Sequence, residues 1–233
     1  MTGEPTELAD AARALAEHLR FHQALGIREL PLRGERLGGP AATLRQVEVG
    51  SEGCTRCKLS QGRNTIVFGA GSPEARLVII GEGPGEEEDR QGKPFVGRAG
   101  QLLTKMLDSV GLTREEVYIC NIVKCRPPGN RNPEPEEIAA CAPFLSGQLA
   151  AIQPGVICTL GTFASQHILR TREPISRLRG QLHHLGAAVV IPMFHPAFLL
   201  RNPGPSYRRQ AWDDLKLIRR EYDRVRGRAP ADA

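Results

Sequence analysis

Apolar residues are spaced in two ways along this chain, and the change between them falls near Cys54. Over residues 5–25, Leu8, Ala12, Leu15 and Leu19 recur at helical spacing, with Glu17, His18 and Arg20 on other faces; this predicts an amphipathic packing helix. Residues 26–46, with Gly38, Gly39 and Pro40, read as a linker. Beyond Cys54, short continuous apolar runs alternate with helical patterns. The runs at 76–80, 117–123, 156–160 and 189–193 lack polar alternation, so they read as strands buried on both faces, as in a parallel sheet. Helices are predicted over 99–110, where Leu102, Leu103, Met106 and Leu107 share a face, over 134–152, where Pro143 could interrupt it, over 162–169, and over a basic stretch at 207–226. Strands alternating with helices indicate an α/β sheet with short crossovers. The chain divides into a helical extension and linker (1–50), one α/β domain (51–226) and a disordered tail (227–233).

In open α/β sheets, ligands collect at the carboxyl ends of the strands. Three candidate segments fall there: Gly81 to Gly85 after the first strand, Asn121 near the end of the second, and His195 after the fourth.

Composition narrows the class. With 233 residues, 40% hydrophobic and 24% charged, the chain can bury one substantial core. No run approaches the ~20 apolar residues of a membrane span, and the start Met1-Thr2-Gly3-Glu4-Pro5 lacks a signal-peptide layout. A cytoplasmic protein with no membrane partner is expected. The net charge of +5 suits a polyanionic partner such as DNA, although many mildly basic proteins bind none.

Six cysteines change the picture more, because a reducing compartment disfavours disulfides and points to a metal or redox role. Cys54 and Cys57 form a C-x-x-C pair. Cys120 and Cys158 sit inside apolar strands, where a thiol serves as a small hydrophobe. Cys125 leaves a strand for a loop and Cys141 lies on the following helix, so Cys54, Cys57, Cys125 and Cys141 are the candidate ligands. Four thiolates suit zinc or an iron–sulfur cluster, and spacing does not choose between them.

The stretch Gly81-Glu82-Gly83-Pro84-Gly85-Glu86-Glu87-Glu88-Asp89 is neither a dinucleotide fingerprint nor a P-loop, and its acids would repel phosphate. Alone it reads as a solvated acidic loop. It is followed in order by Gly92-Lys93-Pro94-Phe95-Val96-Gly97, by Asn121-Ile122-Val123-Lys124-Cys125-Arg126-Pro127-Pro128 and by His195-Pro196-Ala197-Phe198-Leu199-Leu200-Arg201. Together these segments closely resemble the family 4 uracil-DNA glycosylases, over roughly residues 54–202.

The resemblance implies a three-layer α/β/α fold around a four-stranded parallel sheet, a 4Fe–4S cluster as cofactor, and excision of uracil from single- or double-stranded DNA by a monomeric enzyme. It matches Phe95 to the aromatic on which a flipped uracil stacks, Asn121 to the asparagine that pairs with the uracil edge, and His195 to the histidine that stabilises charge on uracil O2. Gly81, Glu82 and Gly83 match the loop closing around base and sugar, with Glu82 or Glu88 supplying carboxylate charge near the cationic sugar. Phe198, Leu199, Leu200 and Arg201 are candidates for the wedge that fills the gap left by the flipped nucleotide. Lys124, Arg126, Arg131, Arg208 and Arg209 are candidate phosphate contacts.

The pattern also departs from the better-known uracil glycosylases. Gly83 stands where they place a water-activating aspartate, which leaves Glu82 as the leading candidate for that role, and Gly85 where they place a tyrosine that blocks thymine. No basic insertion precedes His195, so turnover is expected rather than trapping on the abasic sugar. The rival expectation is an inactive iron–sulfur module of the same fold that docks on DNA. Asn121, Phe95 and His195 argue against it, because docking requires no uracil pocket.

Overall fold

The computed structural model describes residues 39–227. The helix expected over 5–25 and positions 228–233 of the expected tail lie outside them. In chain order the elements are helix α1 (Pro40–Val49), β1 (Ala70–Gly71), β2 (Leu77–Gly81), α2 (Glu86–Gln91), α3 (Arg98–Ser109), β3 (Tyr118–Asn121), α4 (Pro135–Ile152), β4 (Val156–Leu160), α5 (Gly161–Leu169), α6 (Ile175–Leu178), β5 (His183–Leu185), β6 (Ala188–Met193), α7 (Pro196–Arg201) and α8 (Pro205–Arg226).

The sheet order is β1-β3-β2-β4-β6-β5. Its centre is the expected set of four parallel strands, with β2 paired to β3 and β4, and β4 to β6. Two short antiparallel strands, β1 on β3 and β5 on β6, extend it to six. Every residue of β2, β3, β4 and β6 is buried, which is why these strands read as unbroken apolar runs.

Alternation along the strands sorts side chains into two cores. Leu77, Ile79, Val156, Cys158, Leu160, Val189, Ile191 and Met193 face α3 and α8 through Leu103, Met106, Leu107, Leu215 and Ile218. Val78, Ile80, Ile157 and Val190 face the other way, onto Leu145, Leu149 and Ile152 of α4 and Ala164 and Ile168 of α5. The result is the three-layer α/β/α arrangement. Cys120 and Cys158 are packing residues, fully buried in the second and first core respectively.

Two local expectations need correction. The span read as a linker is helical from Pro40 onward; Pro40 takes the first helical turn, where a missing N–H costs nothing. Helix α4 runs through Pro143 without interruption, because its apolar side chains are anchored along the second core.

The outer layer is pinned by a buried ion pair. Asp214 on α8 has a fully buried side chain and accepts from Arg179 Nε at 2.9 Å and Nη2 at 2.7 Å. Burial nevertheless raises the Asp214 pKa to about 6, so desolvation outweighs the attraction of Arg179. The guanidinium also lies 5.1 Å from the Phe194 ring, next to a candidate site residue. Removing one partner of such a pair strands the other in a dry site. Arg179→Ala is therefore expected to lower the unfolding free energy by about 3–5 kcal/mol, measured by urea denaturation. An unchanged midpoint would mean that the pair carries no net stability.

Candidate functional site

The parallel register sets Gly81 opposite Asn121 at the carboxyl ends of β2 and β3. Above this edge opens a cleft of about 660 Å³, lined by Glu82, Gly83, Phe95, Asn121, His195 and Arg201 among others. The expected pocket residues are thus brought together, with Gly81 buried beneath them. No side chain fits at Gly81: a Cβ there would lie 2.4 Å from Asn121 Oδ1 and 2.6 Å from Phe95 Cζ. That absence lets the amide and the ring share one floor.

Asn121 is 1% exposed, and its Oδ1 has no hydrogen-bond partner among the described residues. A buried polar atom left unpaired costs free energy, so an amide in this state is poised for a ligand that brings a donor. Its carbonyl oxygen, by contrast, accepts from Lys124 Nζ at 2.8 Å.

Phe95 is the strained member. It is buried and adopts φ 52°, a left-handed conformation unusual for a bulky residue. Two opposite charges hold this turn. The Glu88 carboxylate accepts from Val96 N at 2.9 Å and Gly97 N at 2.8 Å through Oε1, and from Gly85 N at 3.1 Å through Oε2. The Arg114 guanidinium donates to Phe95 O at 3.0 Å, Pro94 O at 2.6 Å and Thr104 Oγ1 at 3.3 Å. The ring that results lies 5.7 Å from the His195 ring, tilted by 32°. Arg114 is a residue the sequence reading missed, since nothing local marks it; its partners are 10–20 positions away in the chain.

His195 forms the N-cap of α7, with Pro196 at the first helical position. Ala197 N–H donates to His195 Nδ1 at 3.1 Å, so Nδ1 carries the lone pair and Nε2 the proton when the ring is neutral. The ring keeps some contact with solvent in the cleft, but burial, and secondarily Arg201, lower its pKa to about 4. Burial acts on Glu82 in the opposite sense and raises its pKa to about 7.

The acidic stretch is not a solvated loop. Gly85 and Glu88 cap helix α2, and four acids occupy its first turn, where they complement the helix dipole. Asp89 is 1% exposed and accepts from Asn64 and Thr65. Glu88, one of two carboxylates expected near the sugar, is committed to three backbone amides, whereas Glu82 is half-buried on the cleft lining. The departures have physical causes as well. At Gly83 a Cβ would press on Val123 Cγ2 at 2.9 Å, and at Gly85 on Glu88 Oε2 at 2.7 Å, so an aspartate or a tyrosine would have to displace the side chain packed there.

Other expectations divide. Leu199 is 8% exposed and packs in the first core, so it is withdrawn from the wedge, whereas Leu200 is 40% exposed. Phe198 stacks on Phe194 with ring centroids 5.0 Å apart. Lys124 is 1% exposed and is not a phosphate contact. Arg131 is engaged by both oxygens of Glu137, at 2.9 and 2.7 Å. Arg126 bonds Asn130 at 2.8 Å, while Arg208 and Arg209 lie exposed at the start of α8.

The four selected cysteines converge away from the cleft, where Cys54, Cys57, Cys125 and Cys141 line one small cavity with Phe144 and Ile66. Burial raises the pKa of Cys125, and that of Cys141 to about 11. Each takes an N–H···S bond, from Arg63 Nη1 to Cys125 Sγ at 3.4 Å and from Lys124 N to Cys141 Sγ at 3.2 Å. Among the described residues no three His, Cys, Asp or Glu side chains close tightly enough to hold a metal ion.

Comparison with known proteins agrees with this geometry. A family model described as the uracil DNA glycosylase superfamily matches residues 68–216. A type-4 uracil-DNA glycosylase of Thermotoga maritima is 50% identical over 165 residues, covering 70% of this chain and 86% of the relative. One from Archaeoglobus fulgidus is 45% identical over 173 residues (71% and 86%), and one from Sulfurisphaera tokodaii 43% identical over 175 residues (71% and 79%).

The crowding at Gly81 can be tested directly. Gly81→Ala is expected to destabilise the protein by about 1–3 kcal/mol through overpacking. Gly62→Ala, where a Cβ meets nothing within 4 Å, is expected to change it by no more than about 0.5 kcal/mol. Equal unfolding midpoints for the two variants would count against the close approach.

Proposed function

The chain belongs to the uracil DNA glycosylase superfamily, and on that footing we propose that it hydrolyses the N-glycosidic bond of deoxyuridine in DNA, releasing uracil and leaving an abasic site. The observation that carries this reading is the unpaired Asn121 Oδ1, sealed in the cleft floor beside Phe95 and His195. An amide is complementary to the uracil edge, since its oxygen accepts from N3–H and its NH2 donates to O4.

Uracil must leave the base stack to reach this floor, at a cost of a few kcal/mol recovered by stacking and hydrogen bonding. Phe95 offers the stacking face and Asn121 the edge contacts. As the bond breaks, negative charge grows on the base and positive charge on the sugar. A neutral His195, protonated at Nε2, donates toward the first. Glu82, in its carboxylate form, stabilises the second. Arg98 and Arg201 on the cleft wall are suited to the flanking phosphates, and exposed Leu200 to the gap left in the duplex.

The four thiols suit a 4Fe–4S cluster. The donor set is all sulfur, two members accept N–H···S bonds, and the wall is apolar. By donor type four thiolates suit zinc as well, and the resemblance to the family 4 uracil-DNA glycosylases is what favours the iron–sulfur cluster. Bound there, the cluster supplies four cross-links rather than chemistry at the base. Cys54 and Cys57 fasten the segment after α1, and Cys125 and Cys141 the loop between β3 and α4. Cys125→Ser or Cys141→Ser is expected to lower folded yield and iron content together; normal values in both would sink the ligand assignment.

Activity is tested with a uracil-containing oligonucleotide, alkali treatment to cut abasic sites, and His195→Ser and Asn121→Ala alongside. Cleavage at uracil that falls at least about 100-fold in each folded variant is expected. An iron-replete, folded wild type that leaves uracil in place would favour a DNA-docking module instead.

The pH profile separates the two ionisable groups. Glu82 is useful when charged, so kcat/KM is expected to fall as pH drops through about 7. Glu82→Gln should remove that limb. His195 stays neutral down to about pH 4 and adds no step above pH 5. A limb that survives in Glu82→Gln would assign it to another group.

A further inference from the structure

Lys124 lines the cysteine cavity and also reaches the strand end beneath the cleft. It is 1% exposed. Its backbone N–H donates to Cys141 Sγ at 3.2 Å, while Nζ donates to Asn121 O at 2.8 Å and to Gln148 Oε1 at 2.5 Å. The Phe68 ring lies 5.9 Å from the ammonium. Gln148 is itself held in place, since Nε2 donates to Phe68 O at 2.8 Å and to Tyr118 Oη at 3.0 Å.

These partners are all neutral. Lys58 and Lys216 pair with carboxylates, but among the described residues Lys124 has no such partner. An ammonium withdrawn from water needs an opposite charge nearby, because neutral acceptors offset only part of its lost hydration. Four thiolates around an iron–sulfur core carry net negative charge, and two of those four cysteines adjoin Lys124: Cys125 as the next residue and Cys141 through the N–H···S bond.

We propose that the thiolate-bound cluster is the counter-charge of Lys124, and that Lys124 is a positioning residue through which the cluster holds Asn121 in place. The proposal rests on the cluster reading given above. The backbone leaves β3 at Asn121, where Ile122 N–H donates to Gly81 O at 2.9 Å. Lys124 Nζ grips the carbonyl of the same residue from within. The amide that reads the base is therefore fixed by a side chain whose charge is balanced on the far side of the loop, and loss of the cluster loosens that grip without touching the cleft.

The test uses anaerobically purified holoprotein as wild type, Lys124→Met and Gln148→Glu. Iron and sulfide per chain, the cluster midpoint potential, and kcat and KM on a uracil oligonucleotide are measured for each. In Lys124→Met the potential is expected to move negative, because removing a neighbouring positive charge disfavours an added electron. KM is expected to rise about tenfold, the worth of a hydrogen bond to a charged group, with kcat changing less. Gln148→Glu gives the ammonium a local carboxylate and should shift the potential the same way, so it carries the test if Lys124→Met does not fold. Unchanged potential and KM in variants with full iron would overturn the proposal and leave Lys124 as a packing residue. A wild type without iron and without visible cluster absorption would overturn it too, but through failure of the cluster reading, which the variants are not needed to see.

Discussion

Gly81 and Asn121 meet at the last register position of β2 and β3, and the cleft is assembled on that contact. A parallel pair buried on both faces cannot slip by one residue without exchanging its two cores, so the register is strongly specified. Fixed register then fixes which side chain ends each strand. With no Cβ at Gly81, Asn121 Oδ1 and the edge of Phe95 occupy the space a side chain would have filled. The unpaired oxygen and the left-handed φ of Phe95 are both costs, and both sit on this contact. Their compensation comes from outside it, through Glu88, Arg114 and Lys124.

Those three residues show what could be read in advance and what could not. The parallel strands were legible because burial on both faces leaves an unbroken apolar run, and the pocket residues because their motifs recur in order at strand ends. The edge strands Ala70–Gly71 and His183–Leu185 were not, being too short to display alternation. Helix α2 was read as an acidic loop because its six residues show no apolar period; the cap formed by Gly85 and Glu88 was the signal available. Charged side chains misled most. Lys124 and Arg131 look like surface cations until Gln148 and Glu137 are seen against them, and those partners lie on a helix whose placement only the fold supplies. The difference between Leu199 and Leu200 is likewise a matter of which face of a six-residue helix meets the core.

His195 and Glu82 in the cleft respond to one cause in opposite directions. Withdrawal from water disfavours charge, so His195 loses its proton more readily and Glu82 keeps its own longer. Neither group therefore adds much charge beside the base before substrate enters, although Glu86, Arg98 and Arg201 line the cleft walls. Such a site suits a reaction that separates charge within the substrate. A neutral imidazole donor does not bind the ground-state base as strongly as an imidazolium would, but its hydrogen bond strengthens as the base becomes an anion. That increment between ground and transition state is what accelerates the step.

The same reasoning explains why the missing aspartate at position 83 need not be replaced in place. A side chain there would press on Val123, and the nearest carboxylate in the chain is that of Glu82, one residue earlier and partly open to the cleft. A carboxylate in that position is better suited to stabilising a cationic sugar through space than to holding a water in line with it, because field stabilisation tolerates an ångström of misplacement and proton abstraction does not. If the sugar cation forms before water attacks, a weakly activated water suffices. The rate is then governed by how well the cleft tolerates the separated charges, which returns the chemistry to the neutral histidine, the half-buried glutamate and the strand-end pair beneath them.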